Sequence, residues 1–349
     1  MKFLCVGVDV SAKELEVAYR GEDGKLGRVR LRNTAKDHKA LIRDLRKRSK
    51  SVRVVLEATG IYGLDLALAL DQAKGIEVMV ANPRAVADFG KALLQRSKTD
   101  RMDAMAILAF CERMPFVVWA RPSKAAFELG SISRRMYGLN ELIRVEKNRN
   151  HAAAHLAASP SVVNRSVQSV IRLLQREIER LREAALRVIQ SDQLLAERYQ
   201  LLNSVKGIAA TSAIRILGEL ALLPSDMSTR QWVAHAGLDP RLFESGTSVH
   251  KQSRISKAGN KYLRAALYLP AVVAGQFDPH VIAFRGHLLA RGKHKRQTHV
   301  AIMRKLLHAI HGMFCHQQEW DGAKFFAVVD AVGAEGIASS AISSASTAC

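Results

Sequence analysis

The first 113 residues alternate between short apolar runs and segments with a helical pattern, and this alternation constrains the fold most strongly. Each apolar run is short and rich in Val, Leu and Ile, as expected of a buried strand. The predicted strands cover residues 3–10, 15–19, 52–56 and 76–80, and the predicted helices cover residues 34–50, 64–74 and 100–113. This order predicts an α/β sheet domain.

Four acidic residues occupy the ends of these elements. Asp9 lies near the end of the first strand, and Glu57 directly follows the run 52–56. A carboxylate at the end of an apolar strand is costly unless it reaches solvent, a donor or a metal. Asp100 and Asp103 lie three residues apart at a helix start and therefore share one face.

The four carboxylates could converge on one point. Mg²⁺ prefers carboxylate and water oxygens, and a two-metal nuclease site needs several such ligands. We therefore predict that Asp9, Glu57, Asp100 and Asp103 bind Mg²⁺ and are catalytic. Asp100 and Asp103 have a structural alternative, because acids in the first helical turn interact favourably with the helix dipole and can cap it, with Thr99 as another candidate cap.

The charge of the chain favours a polyanionic partner. Its 53 Lys and Arg against 32 Asp and Glu give a formal net charge of +21, and the pI is near 10.2. Aromatic residues make up only 6% of the chain, which argues against single-strand binding dominated by base stacking. Contact with the phosphate backbone is the expected mode of binding.

The cysteines and the apolar segments favour a cytoplasmic protein. The four Cys residues show no C-x-x-C pairing, so neither a disulfide framework nor a zinc ribbon is expected. The N-terminal apolar run is too short for a signal peptide, and no later stretch approaches the roughly 20 apolar residues of a membrane span. We expect neither export nor membrane insertion.

A heptad pattern occupies the middle of the chain. Its apolar residues follow alternating steps of three and four, namely Ile171, Leu174, Ile178, Leu181, Ala185, Val188 and Leu195. This pattern predicts either an antiparallel helical hairpin with its bend at Ser159-Pro160 or a coiled coil between two chains. The two alternatives stay open at this point, and the second implies a homo-oligomer.

Two further segments have features of nucleic-acid binding. The turn that contains Lys206 and Gly207 resembles a helix-hairpin-helix, a motif whose backbone N–H groups bind phosphate. An ordinary turn between two core helices fits this sequence nearly as well. Residues 241–305 contain 13 Lys or Arg and two acids, a net charge of +11. Within them the predicted phosphate-binding residues are Arg254, Lys257, Lys261 and Arg264.

His308, His311 and Cys315 could share a helix face, but packing or phosphate contact is favoured over zinc binding.

The chain resembles the IS110 family of bacterial transposases. The resemblance covers GVDVSAKELEVA (7–18), LEATGIYG (56–63), the segment 81–108 around SKTDRMDA, and the segment 236–274 from AGLDPRLFESG to LPAVVA. These motifs occur in the family's order. The resemblance implies a RuvC-like, RNase H-like domain whose D-E-D-D set corresponds to Asp9, Glu57, Asp100 and Asp103, and it implies Mg²⁺ as the cofactor.

The same resemblance implies a serine nucleophile. In the family a serine that precedes a glycine attacks DNA, and the corresponding residue is Ser245 before Gly246. By composition alone, residues 244–248 are typical of a turn, and the competing hydroxyls are Ser248, Ser253 and Ser256. A structured non-coding RNA that selects donor and target DNA is implied by the resemblance alone.

We therefore expect a RuvC-like domain (1–118), a helical coiled-coil connector (119–200), a mainly helical transposase domain with a basic loop (201–330) and a disordered tail (331–349). The expected function is cutting and rejoining of double-stranded DNA during transposition of an insertion sequence, by a homo-oligomer (dimer or tetramer) in the bacterial cytoplasm and nucleoid. One alternative is a metal-dependent RuvC-like nuclease of the junction-resolvase type, in which water attacks. A second is a nucleic-acid-binding protein without activity.

Overall fold

The computed structural model of the chain describes residues 3–21, 24–57, 62–93, 99–155, 160–245 and 249–327. The chain divides into two compact units, Met1–Arg121 and Pro122–Cys349. The first combines a sheet with helices, which confirms the predicted α/β domain, and the second is mainly helical. The division into three modules stays a prediction, and the tail 331–349 lies outside the described residues.

The first unit has more elements than the sequence patterns indicated. Its strands are β1 Leu4–Val10, β2 Glu14–Arg20, β3 Leu26–Arg32, β4 Val52–Glu57 and β5 Ile76–Ala81. Its helices are α1 Ala35–Arg48, α2 Leu64–Asp71, α3 Pro83–Ala92 and α4 Asp100–Arg113. Strand β3 and helix α3 were not predicted. Helix α3 begins directly after β5, because the Asn82 side chain accepts a hydrogen bond from the backbone of Arg84 and Pro83 occupies the first helical turn.

The sheet has the strand order β3-β2-β1-β4-β5. Strands β1, β2 and β3 pair antiparallel, and β4 is parallel to both β1 and β5. Alternate residues point to opposite faces. One face carries Val6, Val8 and Val10 and packs on α1 and α2, whereas the other carries Cys5, Gly7 and Asp9 and faces α4.

The described part of the second unit consists of helices and a pair of antiparallel strands. Its helices are α5 Lys124–Ala154, α6 Ser161–Gln190, α7 Gln193–Ser204, α8 Ala210–Leu220, α9 Thr229–Ala236, α10 Lys261–Phe277, α11 Pro279–Ala290, α12 Lys295–His316 and α13 Gly322–Phe325. Strands β6 Pro240–Ser245 and β7 Val249–Ile255 pair antiparallel. The segment expected to be a basic loop is therefore largely a β-hairpin. None of the helices in the described ranges has the length and apolar character to span a membrane.

Helices α5 and α6 pack against each other and form a long hairpin. The heptad pattern extends to Leu195, but helix α6 ends at Gln190. Asp192 caps the next helix, because its side chain accepts a hydrogen bond from Leu195 N. Leu195 therefore belongs to α7. Within α6, Ile171 and Ala185 are buried, and Ile178 and Leu181 pack against the core of the unit.

The turn between α7 and α8 packs against α10. Gly207 has φ +109°, and a Cβ atom at this position would lie 2.7 Å from Ala274 N and 3.0 Å from Pro270 O. Both the backbone conformation and this close approach require glycine. The turn thus has a structural reason for its glycine, while Lys206 beside it is exposed.

Candidate active site

Helix α4 lies unusually close to strand β1, and Gly7 permits this approach. A Cβ atom at Gly7 would lie 2.6 Å from the carbonyl oxygen of Ala104 and even closer to the backbone nitrogen of Leu108. No larger residue fits without displacing the helix backbone. Because Asp103 precedes Ala104 and Asp9 follows Gly7 by two residues on the same sheet face, this contact brings the start of α4 over the end of β1.

Asp9 is half-buried and lies among other carboxylates. Burial, followed by the charges of Asp103 and Asp100, raises the pKa of Asp9 from 3.8 to about 6. A hydrogen bond with the backbone of Val10 opposes this shift. The raised pKa shows that the two helix acids and the strand acid share one electrostatic environment.

Glu57 ends the strand beside β1. The parallel register pairs Val8 with Leu56, so Glu57 is the next residue along and lies level with Asp9. Val55, two residues earlier, packs against Ile107 of α4. Glu57 is therefore on the same face of the sheet as Asp9.

The start of α4 is capped by Thr99, which leaves Asp100 and Asp103 without a capping role. The Thr99 hydroxyl accepts a hydrogen bond from Met102 N at 3.2 Å. Both acids lie in the first turn and interact favourably with the helix dipole. Their structural role and the predicted role as ligands are compatible.

Glu16 is an additional acid at this site that the sequence reasoning missed. The antiparallel register pairs it directly with Asp9, and its charge also contributes to the raised pKa of Asp9. Arg30 on β3 forms an ion pair with Glu16 at 3.2 Å. The alternation of Leu15, Val17 and Tyr19 with Glu14, Glu16 and Ala18 is the signal that places Glu16 on the charged face.

The carboxylates suit a hard divalent cation by their chemistry, because all are oxygen donors, and burial together with the charges of Asp103 and Asp100 raises the pKa of Asp9. Within the part of the chain that the structure describes, no three Asp, Glu, His or Cys side chains lie close enough together to hold an ion. Asp9 and Glu57 thus lie at one end of one sheet face, Asp100 and Asp103 lie at the start of α4, and the four do not form a closed ligand set among the described residues.

The second unit carries the predicted nucleophile on its hairpin. Ser245 is the last residue of β6 and pairs with Val249, while Gly246, Thr247 and Ser248 lie outside the described residues. The hydroxyl of Ser256 donates to Asp239 at 2.6 Å and accepts from Ala258 N at 3.3 Å, so it stabilises the turn after the hairpin. Ser253 lies within β7.

A large basic groove borders this hairpin. It has a volume of about 940 Å³ and no acid among its described lining residues. Its apolar floor includes Leu238, Phe284 and Val300. Its cations include the predicted Arg254 and Lys257, and also Lys293, Arg296, Arg304 and Lys305, which the sequence places in a basic segment without indicating that they line a groove. We call this surface the basic groove.

A buried polar network fixes the segment that follows the hairpin. Glu219 is fully buried, accepts two hydrogen bonds from Arg134 at 2.9 Å and one from the side chain of Asn260 at 2.6 Å. The Asn260 side-chain oxygen also caps α10 by accepting from Tyr262 N and Leu263 N. The network connects α5, α8 and α10 at the end of the hairpin.

The other predicted phosphate-binding residues have different surroundings. Arg264 donates to the carbonyl oxygen of Ala236 at 2.8 Å, and burial lowers its pKa. Lys261 is exposed, with its ammonium 5.1 Å from the Tyr262 ring. Both ring nitrogens of His311 have hydrogen-bond partners, Thr229 at 3.1 Å and Met227 O at 2.9 Å, so this histidine serves packing.

Comparisons with known proteins agree with the two halves of this description. Residues 6–157 match the DEDD transposase model of the IS110 type, and residues 199–285 match the model of the transposase IS116/IS110/IS902 family. The first match contains Asp9, Glu57, Asp100 and Asp103, and the second contains Ser245.

Pilin gene-inverting proteins are related along most of the chain. Those of Moraxella bovis and Moraxella lacunata are each 30% identical over 263 residues, which covers 74% of this chain and 79% of the relative. The chain therefore belongs to the IS110 family of transposases, which are enzymes of DNA recombination.

Proposed function

We propose that this transposase cuts and rejoins the DNA of an insertion sequence through a covalent link to Ser245, with Mg²⁺ bound by Asp9, Glu57, Asp100 and Asp103. The metal site is supported by the placement of half-buried Asp9 level with Glu57 and under the start of α4, where burial and the charges of Asp103 and Asp100 raise its pKa. Carboxylates that repel one another in a protein of net charge +21 are costly unless a cation neutralises them.

The four carboxylates would hold the metal from three elements of one unit. Asp9 and Glu57 come from neighbouring strands, and Asp100 and Asp103 come from the helix that Gly7 allows to approach. Bound Mg²⁺ would supply Lewis acidity at the scissile phosphate and lower the pKa of a hydroxyl near it. Asp9 must be ionised for this role, which couples metal binding to the loss of its proton.

Ser245 would act by transesterification. Its hydroxyl oxygen forms a bond to the scissile phosphorus, the bond from phosphorus to the departing sugar oxygen breaks, and the serine proton leaves as that sugar oxygen gains one. The phosphoserine ester conserves the energy of the broken bond, so a new sugar hydroxyl can reverse the step and join a different DNA end. This accounts for joining without an external energy source.

The basic groove would hold DNA near the hairpin. Its cations are not offset by acids in the described lining, and such a surface binds phosphates without reading sequence. Arg254 and Lys257 are the predicted contacts of the attacked phosphate, with Lys206, Gly207, Lys261 and Arg264 as further contacts. A structured non-coding RNA of the element would then supply the sequence choice, and the transposition would pass through a circular intermediate.

A second copy of the chain would bind along the α5–α6 hairpin. Helix α6 exposes Val163, Val170 and Leu173, which are separated by steps of seven and three residues and therefore share one face. The predicted seam itself packs inside the unit at Ile171 and Ala185, so this second apolar stripe is the surface available to a coiled coil with another protomer. The active site could then combine the carboxylates of one chain with Ser245 of another.

The runner-up is a RuvC-like nuclease of the junction-resolvase type in which water attacks. It would use the same carboxylates, and Ser245 would be a residue of the hairpin without chemical function. The absence of protein joined to DNA during the reaction would favour it.

The metal site is tested by replacing Asp9 or Asp103 with Asn. Both variants should lose Mg²⁺-dependent DNA cutting by at least about 100-fold while DNA binding in filter assays stays near that of the wild type, because the basic surface is intact. Asp65→Asn, which alters an exposed acid of α2 on the other side of the sheet, is the matched control and should cut normally. Full cutting by Asp9→Asn and Asp103→Asn would contradict the metal site.

A further inference from the structure

Strand β3 exposes a row of three arginines. Arg28, Arg30 and Arg32 are all exposed, while Val29 and Leu31 between them pack into the core on the opposite face. Strand β3 is the last strand at one edge of the sheet. We call these residues the β3 arginine row.

The register places this row on the same face as the carboxylates. Asp9 pairs with Glu16, and Glu16 pairs with Arg30, so the three lie on one line across the sheet. Neighbouring strands are about 4.8 Å apart, which separates the backbones of Asp9 and Arg30 by roughly 10 Å. The middle of the row therefore lies beside the predicted cutting site on the same face of the sheet.

The electrostatics of Arg30 connect the row to that site. Its guanidinium forms ion pairs with Glu14 and with Glu16. These partners raise the pKa of Arg30, Glu14 first, and the charge of Asp100 on α4 acts in the same direction. In the protein without DNA, Arg30 thus forms ion pairs with Glu14 and Glu16, and it lies between the carboxylates and the edge of the sheet.

Arg28 and Arg32 differ from Arg30, because neither has an acidic partner within 4 Å among the described residues. Side chains two residues apart on a strand are separated by about 6.7 Å, which is close to the separation of successive phosphates along an extended nucleic-acid strand. Arginine can grip each phosphate with two parallel hydrogen bonds. Arg28 and Arg32 are four residues and therefore about 13 Å apart, so these two arginines are spaced to bind alternate phosphates of a backbone, with Arg30 between them.

We propose that the β3 arginine row binds the phosphate backbone of the DNA beside the predicted cutting site and holds it at the edge of the sheet face that carries Asp9. Glu14 and Glu16 keep Arg30 oriented until the DNA arrives. The proposal rests on the proposed function, because it takes the carboxylates as the place of cutting. It adds a binding surface and residues outside the D-E-D-D set.

The test measures DNA binding rather than activity alone. In an Asp9→Asn background, which should bind DNA without cutting it, Arg28 and Arg32 are both replaced by Ala and the affinity for labelled substrate DNA is measured over a range of salt concentrations. Loss of two phosphate contacts should weaken binding about tenfold and reduce the slope of log affinity against log salt by about 1.5. In the cutting-competent protein the same double variant should raise the half-saturating DNA concentration and change the maximal rate little.

Two control variants distinguish the loss of specific phosphate contacts from the effect of a lower net charge. Arg43→Ala with Arg46→Ala removes two exposed arginines of α1, which packs on the opposite face of the sheet, and should leave the salt slope unchanged. Arg28→Lys with Arg32→Lys should restore most of the slope, which a fold defect would not allow. The thermal unfolding midpoint of each variant is measured alongside.

An unchanged slope in the Arg28 and Arg32 double Ala variant would overturn the proposal. So would a variant that loses affinity for structured RNA while its DNA binding stays intact. If Asp9→Asn still cuts DNA, the proposed metal site is wrong. That result is separate, because the binding measurements do not depend on cutting.

Discussion

The ionised form of Asp9 lowers the free energy of unfolding of the protein. Between pH 3.8 and about 6 the folded protein binds more protons at Asp9 than the unfolded chain does, so this residue makes the free energy of unfolding fall as the pH rises through that window. Above about pH 6 Asp9 is ionised in the folded protein, and the full loss of stability is present. Such a cost is typical of a residue kept for function.

Replacing Asp9 with Asn should therefore stabilise the metal-free protein at pH 7.5. A pKa shift of about two units corresponds to roughly 3 kcal/mol, and partial exposure to solvent reduces the expected gain to about 1–2 kcal/mol. Urea unfolding of both proteins in a chelator measures the difference. A less stable variant would contradict the assignment of a destabilising buried charge at Asp9.

The pH dependence of cutting should also report on Asp9. Because a carboxylate must be ionised to bind a metal, cutting at limiting Mg²⁺ should fall as the pH drops through about 6, and saturating Mg²⁺ should move this midpoint lower. Rate profiles between pH 5 and 8 at two Mg²⁺ concentrations decide this. A profile that is flat across pH 6 at limiting Mg²⁺ would remove Asp9 from the metal site.

At the scale of elements, the contact between α4 and β1 positions the site. Gly7→Ala places a methyl group against the backbone of Ala104 and Leu108, which cannot move as a flexible side chain can. We expect destabilisation of about 3 kcal/mol and loss of cutting, because α4 shifts with its two acids. Thermal and urea unfolding measure the first effect.

The matched control is Gly138→Ala in helix α5, where a Cβ atom would contact nothing within 4 Å. That substitution should stabilise the protein by up to about 1 kcal/mol, because alanine favours the helix. Equal effects of the two substitutions would show that the close approach at Gly7 carries no special cost.

The elements near the carboxylates were predictable from sequence where burial sets the pattern. The runs ending at Asp9 and Glu57 are buried strands of the sheet, and their apolar composition identifies them. Strand β3 was missed because its three arginines dominate the segment and only alternate positions are apolar. The β6–β7 hairpin was missed because its composition is that of a turn and its pairing is a tertiary property.

The site was predictable in part for the same reason. Strand periodicity indicates the common sheet face of Asp9 and Glu57, and helix spacing indicates the common helix face of Asp100 and Asp103. Glu16 depends on the register between β1 and β2, and the basic groove depends on the approach of α11 and α12 to the end of the hairpin; neither is contained in a local pattern. The end of the heptad pattern at Gln190 likewise reflects a cap at Asp192 rather than a change in apolar spacing.

At the scale of the whole molecule, the exposed stripe of α6 should control assembly. Leu173 is 52% exposed, so Leu173→Asp should reduce the mass in light scattering with little change in the unfolding temperature. Leu194 on α7 is 48% exposed and lies outside the hairpin, so Leu194→Asp should leave the mass unchanged. A Leu173→Asp protein of unaltered mass would mean that this stripe does not join protomers.

The central claim is tested most directly by looking for protein joined to DNA. Wild-type protein is incubated with labelled substrate DNA and Mg²⁺, resolved on a denaturing gel, and any shifted band is mapped to a peptide. The account predicts an adduct at Ser245 that disappears in Ser245→Ala, which should fold and bind DNA normally, while Ser245→Cys retains a trace because a thiolate forms more easily than an alkoxide. An adduct at Ser248, Ser253 or Ser256, or recombination that proceeds with no adduct at all, would contradict it.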